Sequence, residues 1–177
     1  FSENIAPYPY PSLSIVQDET AYSMEYDALF FLNRQLYTSY DGSEYNFLPV
    51  IAVHETAHQW WFGLVGNDQA MEPWLDEALA TYSERLFYEW VEPDRIPWWE
   101  LARMGAYVSW DWVNTTIYDE GRYYMPAVYY DGARFLQALR ETVGDEDFFA
   151  FLRAYASTYA RGRAMIVGAT GAIGSVC

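Results

Sequence analysis

The spacing of apolar residues predicts a mostly helical chain that begins with short strands. Residues 13–19 alternate weakly between apolar and polar, and residues 28–32 form a compact apolar run; both are typical of short strands. Residues 47–65 place their apolar side chains in an order that excludes a period of two, and neither Pro nor Gly interrupts their middle. We therefore expect a helix that ends near residues 63–66.

Helices also dominate the rest of the pattern. Pro126 suits the first position of a helix, Gly144 is a typical helix terminator, and Asp145 can cap the helix that follows. The predicted segments are a loop at 67–73, a helix starting at 74–75, a Trp-rich helix at 98–113, a loop at 114–125, a helix at 126–143 and a last helix at about 145–160. The fold class that follows is α+β, mostly α, with a small sheet before a helical lobe.

The length and composition indicate one globular domain, or a large part of one, with an acidic surface. The 177 residues are 52% hydrophobic and 20% aromatic, which excludes a disordered chain. With 25 acidic and 10 basic residues the net charge is −15, so a nucleic-acid partner is not expected. Cys177 is the only cysteine, which leaves no internal disulfide and no cysteine-based metal site. No apolar run reaches the ~20 residues of a membrane span, and the cellular compartment cannot be read.

The candidate chemistry lies in the 47–65 segment. The only two histidines of the chain are His54 and His58, and Glu55 stands beside the first. Residues four apart share one face of a helix, so two imidazoles at this spacing can bind one zinc ion while the glutamate acts on a water as general base. Catalytic zinc usually takes three protein ligands, and Glu77, in the first turn of the next predicted helix, fits as the third. Two helix histidines without a metal are the simplest alternative.

These segments resemble the catalytic domain of the M1 family of zinc aminopeptidases, the gluzincins that include aminopeptidase N. Residues 53–61 (VHETAHQWW) and 72–82 (EPWLDEALATY) are similar to the family's paired zinc segments, with Glu77 at the spacing of the third ligand. The resemblance, which covers roughly residues 7–159, implies a thermolysin-like fold with one Zn²⁺ per chain. It also implies peptide substrates that have a free N-terminus.

The resemblance points to further site residues. Glu25, in Tyr22-Ser-Met-Glu-Tyr26, corresponds to the glutamate with which the family holds the α-amino group of the substrate. The segment before Gly132-Ala133 resembles the one that carries the family's catalytic tyrosine, and the alignment selects Tyr129, with Tyr130 as a rival. Thr81, one turn after Glu77, falls where gluzincins place a polar residue that orients the site.

The resemblance also sets the expected domain organisation. Residues 1–160 are expected to form an incomplete catalytic domain whose flanking domains are missing, and the Gly/Ala-rich residues 161–177 are expected to be a truncated or non-native tail. Two alternatives to an aminopeptidase stay open at this point. One is a gluzincin endopeptidase, and the other is a zinc-binding fragment that does not turn over substrate.

Overall fold

The computed structural model describes residues 1–20, 22–43, 45–105, 112–119 and 124–160. Residues 161–177, for which the sequence predicts a truncated or non-native tail, lie outside these ranges. A small sheet precedes a set of helices, as the sequence predicts. The sheet contains β1 (Ser14–Asp18), β2 (Met24–Tyr26) and β3 (Leu29–Asn33). The helices are α1 (Arg34–Thr38), α2 (Phe47–Ala57), α3 (Trp74–Val91), α4 (Ile96–Trp99), α5 (Gly132–Val143) and α6 (Asp145–Tyr159).

The sheet has the order β1-β3-β2, with β1 parallel and β2 antiparallel to β3. The central strand β3 is the most buried of the three, because its apolar run Leu29–Asn33 packs on the helices. Strand β2 lies at one edge and pairs Glu25 with Phe30. The edge position leaves one side of β2 free of a strand partner in the described part of the sheet, and Glu25 lies on this strand.

Helix α2 ends earlier than the sequence predicts. The prediction extended it to residues 63–66, whereas the helix ends at Ala57 and His58 is its C-cap. Beyond that point the backbone N–H groups of Gly63, Leu64 and Val65 bond to carbonyls five residues back, at 2.8–3.1 Å. Phe62 has a φ of 112°, which the helical ladder cannot accommodate. His58 nevertheless keeps helical backbone angles, so the four-residue spacing to His54 places both rings on one face.

The predicted helix over 98–113 is also wrong in its bounds. Helix α4 begins at Ile96 and continues as a π-helical turn, Glu100–Met104, while Trp112 and Val113 are not helical. Gly105 follows that turn, and a Cβ at Gly105 would lie 2.6 Å from the carbonyl oxygen of Leu101. The close approach of the backbone therefore explains why a residue without a side chain stands at this position.

The last two helices begin differently from the prediction. Tyr124 and Met125 are already helical, so the segment starts before Pro126, and residues Pro126–Asp131 form a π-helical stretch that leads into α5. Asp145 is the first residue of α6 and makes no side-chain cap. Its carboxylate instead accepts hydrogen bonds from Arg140 at 2.9 and 3.0 Å, and Gly144, with φ 86°, makes the turn between the helices.

The core lies between α2, α3, α5 and α6. Gly132 allows α5 to approach α3 closely, since a Cβ at Gly132 would lie 2.4 Å from the Cβ of Ala78. This contact brings the 126–131 segment against the first turns of α3. Among the described helices, none combines the length and the apolar character needed to cross a membrane.

Candidate zinc centre

Three predicted ligands converge on one point between α2 and α3. The Nε2 atoms of His54 and His58 lie 3.2 Å apart. The Oε2 atom of Glu77, in the first turn of α3, lies 3.1 Å from the His54 Nε2 and 3.3 Å from the His58 Nε2. The three donor atoms therefore form a nearly equilateral triangle, which α2 and α3 hold because they pack side by side.

This donor triangle fits a zinc ion. Zinc bound tetrahedrally at about 2.0–2.1 Å separates its ligand atoms by roughly 3.3–3.4 Å, close to the spacings seen here. Two imidazole nitrogens and one carboxylate oxygen are a donor set that catalytic zinc uses, and three protein ligands leave a position open for water. The residues present thus suit a catalytic rather than a structural zinc site.

The far side of each histidine ring is already engaged. The His54 Nδ1 lies 2.8 Å from the Oε1 of Glu84, and the His58 Nδ1 lies 3.0 Å from the carbonyl oxygen of Trp61. An N–H donated from Nδ1 leaves the Nε2 lone pair free for a metal ion and fixes the orientation of the ring. Both rings are therefore held with Nε2 directed at the common point.

Glu84 is itself held by a buried network. Its side chain is fully buried and accepts hydrogen bonds from Arg103, at 2.9–3.3 Å, and from the indole N–H of Trp99 at 2.8 Å. Burial opposes ionisation of Glu84, but the positive charge of Arg103 and the contacts with Arg103 and His54 keep its pKa below the ordinary value. The sequence prediction missed this carboxylate, although it follows Glu77 by seven residues and so lies on the same helix face.

Thr81 does not orient the site. Its side chain is completely buried, and its hydroxyl has no hydrogen-bond partner among the described residues. The interpretation of Thr81 as the orienting residue is wrong because its hydroxyl does not reach a metal-site ring, whereas Glu84, three residues further on, contacts His54.

The protein charges around the triangle attract positive charge. Burial alone would lower the pKa of His54, but its hydrogen bonds to Glu77 and Glu84 raise that pKa to about 9. Burial opposes ionisation of Glu77, yet the His58 charge and the bonds from both rings hold the Glu77 pKa well below its usual range. The same buried carboxylates would stabilise a divalent cation placed between them.

Glu55 lies beside this triangle with an unpartnered oxygen. The residue is 5% exposed, and its Oε2 has no hydrogen-bond partner among the described residues. Burial raises the pKa of Glu55 to about 7, with Glu25 and Glu77 adding to the shift and the two histidines opposing it. A general base works best when its pKa is close to the working pH, so this carboxyl suits proton transfer to and from a water.

The two rival tyrosines face different ways. The ring of Tyr129 stacks on His54, with centroids 5.8 Å apart and planes within 13°. Burial, followed by the charge of Glu77, raises the Tyr129 pKa well above its ordinary value, so the hydroxyl keeps its proton. Tyr130 is instead covered by Arg103, whose guanidinium lies 5.5 Å from the ring centroid. Tyr124, which the sequence interpretation did not consider, packs edge-on against Tyr129, with the two ring centroids 6.1 Å apart.

Glu25 lies near Glu55 and the candidate ligand His58. One carboxylate oxygen each of Glu25 and Glu55 and one ring nitrogen of His58 lie within 4.8 Å of one another. The Glu25 Oε1 also accepts a 2.7 Å hydrogen bond from Gln69, which donates from the same nitrogen to Asp76 at 2.8 Å. The structure thus brings every residue that the sequence singled out for chemistry, apart from Tyr130 and Thr81, to one region.

The fold and this site define the class of a zinc metallopeptidase domain. The sequence profile of the Peptidase family M1 domain matches residues 2–167, and the chain belongs to that family. The predicted family, the mostly helical thermolysin-like fold and the enzyme class are confirmed.

Relatives and solved structures agree with this assignment. The chain is 31% identical over 121 residues to aminopeptidase N of Lactococcus lactis subsp. cremoris (strain MG1363), a match that covers 62% of this chain and 14% of the relative. It superimposes on the M1 zinc metallopeptidase of Deinococcus radiodurans with a TM-score of 0.69 and 27% identity, covering 89% of this chain and 34% of that one. Yeast LTA4 hydrolase aligns with a TM-score of 0.67 and 25% identity, covering 90% of this chain and 28% of that chain.

Proposed function

We propose that this chain provides the zinc centre of an aminopeptidase, which releases N-terminal residues from peptides. The observation that carries the proposal is the carboxylate of Glu25 beside Glu55 and the ligand triangle, with the relevant atoms of Glu25, Glu55 and His58 within 4.8 Å. A free ammonium group paired with Glu25 would set the distance from the N-terminus to the scissile bond at one residue. Aminopeptidase N of Lactococcus lactis is similar to this chain, which supports the choice of an aminopeptidase over an endopeptidase.

His54, His58 and Glu77 would hold the metal. When bound, zinc lowers the pKa of a coordinated water and polarises a carbonyl group. The chain's own contribution to this step is orientation: Glu84 holds the His54 ring at 2.8 Å, and the carbonyl oxygen of Trp61 holds the His58 ring at 3.0 Å. One zinc ion per chain is expected because the other potential ligand group among the described residues, Glu25, Glu55 and His58, shares His58 with this triangle.

Glu55 would move the protons. Its unpartnered Oε2 is available to accept a proton from the attacking water and to pass it to the leaving amine. Burial keeps the carboxylate poorly solvated, which raises its basicity. A glutamine at this position keeps the size of the side chain but cannot accept and return the proton.

Tyr129 would stabilise negative charge. Its hydroxyl keeps its proton because burial and Glu77 raise its pKa, so it can donate a hydrogen bond to the carbonyl oxygen of the substrate as charge develops there. Stacking on His54 fixes the ring next to the metal ligands. Tyr130 is engaged by Arg103 and is the weaker candidate for this role.

The proposal is tested with two chromogenic peptides that differ only in their N-terminus, one free and one acetylated. The zinc-loaded chain is expected to cleave only the free-amine peptide. Glu55→Gln should retain zinc and lose at least ~100-fold in kcat, whereas the matched control Glu146→Gln, at an exposed position of α6, should behave as the wild type. Cleavage of the acetylated peptide would favour an endopeptidase, and zinc binding without cleavage of either peptide would favour a non-catalytic domain.

A further inference from the structure

The strand that carries Glu25 is fixed to the metal-binding helix by a buried amide. Gln59 directly follows the zinc ligand His58 and is 1% exposed. Its Nε2 donates to the carbonyl oxygen of Tyr26 at 2.9 Å, and its Oε1 accepts from the backbone N–H of Ala28 at 2.8 Å. One side chain thereby bonds to a backbone carbonyl and a backbone N–H at the β2–β3 turn, where Ala28 has a φ of 59°. The backbone of β2 is thus held at a set distance from the ligand triangle.

The side chain of Glu25 has a separate anchor. Gln69, in the loop before α3, donates one amide hydrogen to Glu25 Oε1 at 2.7 Å and the other to Asp76 Oδ2 at 2.8 Å. Asp76 is completely buried, and its Oδ1 accepts from the backbone N–H of Glu77 at 2.9 Å. A continuous chain of hydrogen bonds therefore runs from the third zinc ligand to the candidate amine-binding carboxylate.

We propose that Gln69 is a positioning residue for recognition of the substrate's free amino terminus. This inference rests on the proposed role of Glu25. The Gln69 amide occupies Oε1 of Glu25 and so leaves Oε2 to pair with the ammonium group of a peptide. It also bridges two carboxylates that would otherwise repel each other.

A neutral amide is well suited to this position. Its nitrogen supplies two donors in fixed directions and carries no charge. A lysine here would neutralise Glu25 and compete with the substrate's ammonium group, whereas an apolar residue would leave the Glu25 side chain free to rotate. The loop that precedes α3 is thus an element that sets the preference for free over blocked peptides.

The test measures the binding of Leu-Ala-Ala and N-acetyl-Leu-Ala-Ala by calorimetry on the zinc-loaded Glu55→Gln chain, in which turnover does not interfere. This background is expected to prefer the free peptide, and Gln69→Leu should reduce the ratio of the two affinities roughly tenfold. Gln69→Met, which keeps the length of the side chain and removes the paired donors without adding a charge, should do the same. In both variants the affinity for the acetylated peptide and the zinc content should stay unchanged. The same two quantities should stay unchanged in Gln17→Leu, an exposed control on β1.

The outcomes distinguish the proposed role of Glu25 from that of Gln69. If the background variant binds both peptides equally, the role of Glu25 is wrong and the inference about Gln69 fails with it. If the background discriminates and Gln69→Leu discriminates equally well, only the inference is overturned. Equal weakening of both peptides would mean that Gln69 merely supports the fold. Should Gln69→Leu fail to fold, the Gln69→Met result decides in its place.

Discussion

Glu84 and Thr81 offer the clearest contrast at the scale of single residues. Both are buried on α3, but only Glu84 contacts a predicted ligand, at 2.8 Å from the His54 Nδ1. Loss of a carboxylate that orients a zinc-bound imidazole typically costs 10- to 100-fold in metal affinity. We therefore expect Glu84→Gln to bind zinc roughly 10- to 100-fold more weakly than the wild type in a competition with a chelator. An unchanged affinity would contradict the role of Glu84.

Thr81→Val, in contrast, should change the stability of the fold and not the zinc affinity. The substitution removes a buried hydroxyl that has no partner among the described residues and keeps the shape of the side chain. A buried unpaired polar group costs about 1–3 kcal/mol, so the free energy of unfolding should rise by about 1 kcal/mol, with zinc affinity unchanged. Urea denaturation of the metal-free protein checks the first value. A large loss of zinc affinity would restore the interpretation that Thr81 orients the site.

The histidine pair should make the metal-free chain sensitive to alkaline pH. The pKa of His54 is raised from 6.5 to about 9, because its carboxylate partners outweigh its burial. A raised folded-state pKa stabilises the fold below the unfolded value and loses that stability as pH rises through the folded value. The melting temperature, measured with a chelator present, should therefore fall between pH 7 and pH 9. His54→Gln should show a flatter profile over the same range, and an equal slope would contradict this assignment.

Gly132 sets how closely the helices α5 and α3 pack. A methyl group at this position would lie 2.4 Å from the Cβ of Ala78, so Gly132→Ala should push α5 away from α3. Overpacking of this kind costs about 1–3 kcal/mol of stability, which denaturation in urea would measure. The double variant Gly132→Ala with Ala78→Gly should recover part of the loss, because it removes the facing methyl group. Additive losses would show that the contact is not the cause.

The elements were partly readable from the sequence. The start of α3 after the loop at residues 67–73 and the placement of Glu77 in its first turn were predicted from the length of chain between His58 and Glu77. The early end of α2 was not readable, because a positive φ at Phe62 has no signature in the residue type. The capping role of Asp145 was wrong because Arg140, five residues earlier, takes its carboxylate.

The site, too, was only partly predictable from the sequence. His54 and His58 were predicted as ligands from their spacing, since i and i+4 share a helix face, and Glu55 from its place beside His54. Glu77 was predicted from its place in the first turn of the next helix and from the family resemblance. Gln59 and Gln69 could not be predicted, because their partners on and beside β2 are 31 to 44 residues distant in the chain, and these contacts depend on how β2 packs against the helices. Residues that position others are therefore the part of this site that required coordinates.

For the whole molecule, the site links segments that are distant in sequence. Helices α2 and α3 supply the three candidate ligands, so a bound metal ion would join the two helices. A ligand that binds only the folded state stabilises it by about 2.7 kcal/mol at one hundred times its Kd. Zinc at that excess should raise the melting temperature, and His58→Ala should abolish the rise. An equal rise in this variant would place zinc elsewhere.

The chain is also smaller than the relatives it resembles. It spans 14% of the Lactococcus lactis aminopeptidase N and 34% of the Deinococcus radiodurans peptidase chain. Even so, the candidate ligands, Glu55, Tyr129 and Glu25 all lie within the described residues 22–43, 45–105 and 124–160. The candidate ligands and the candidate catalytic residues thus all lie in the part of the chain that the structure describes.

The central claim is that His54, His58 and Glu77 hold one zinc ion, and X-ray absorption at the zinc edge of the loaded chain tests it most directly. We expect two imidazole nitrogens and one carboxylate oxygen at about 2.0–2.2 Å from a single zinc ion per chain, with one further light-atom ligand. In His58→Ala the signal of one imidazole should disappear and zinc occupancy should drop. A spectrum without imidazole scattering, or one that His58→Ala leaves unchanged, would contradict the assignment of the zinc centre.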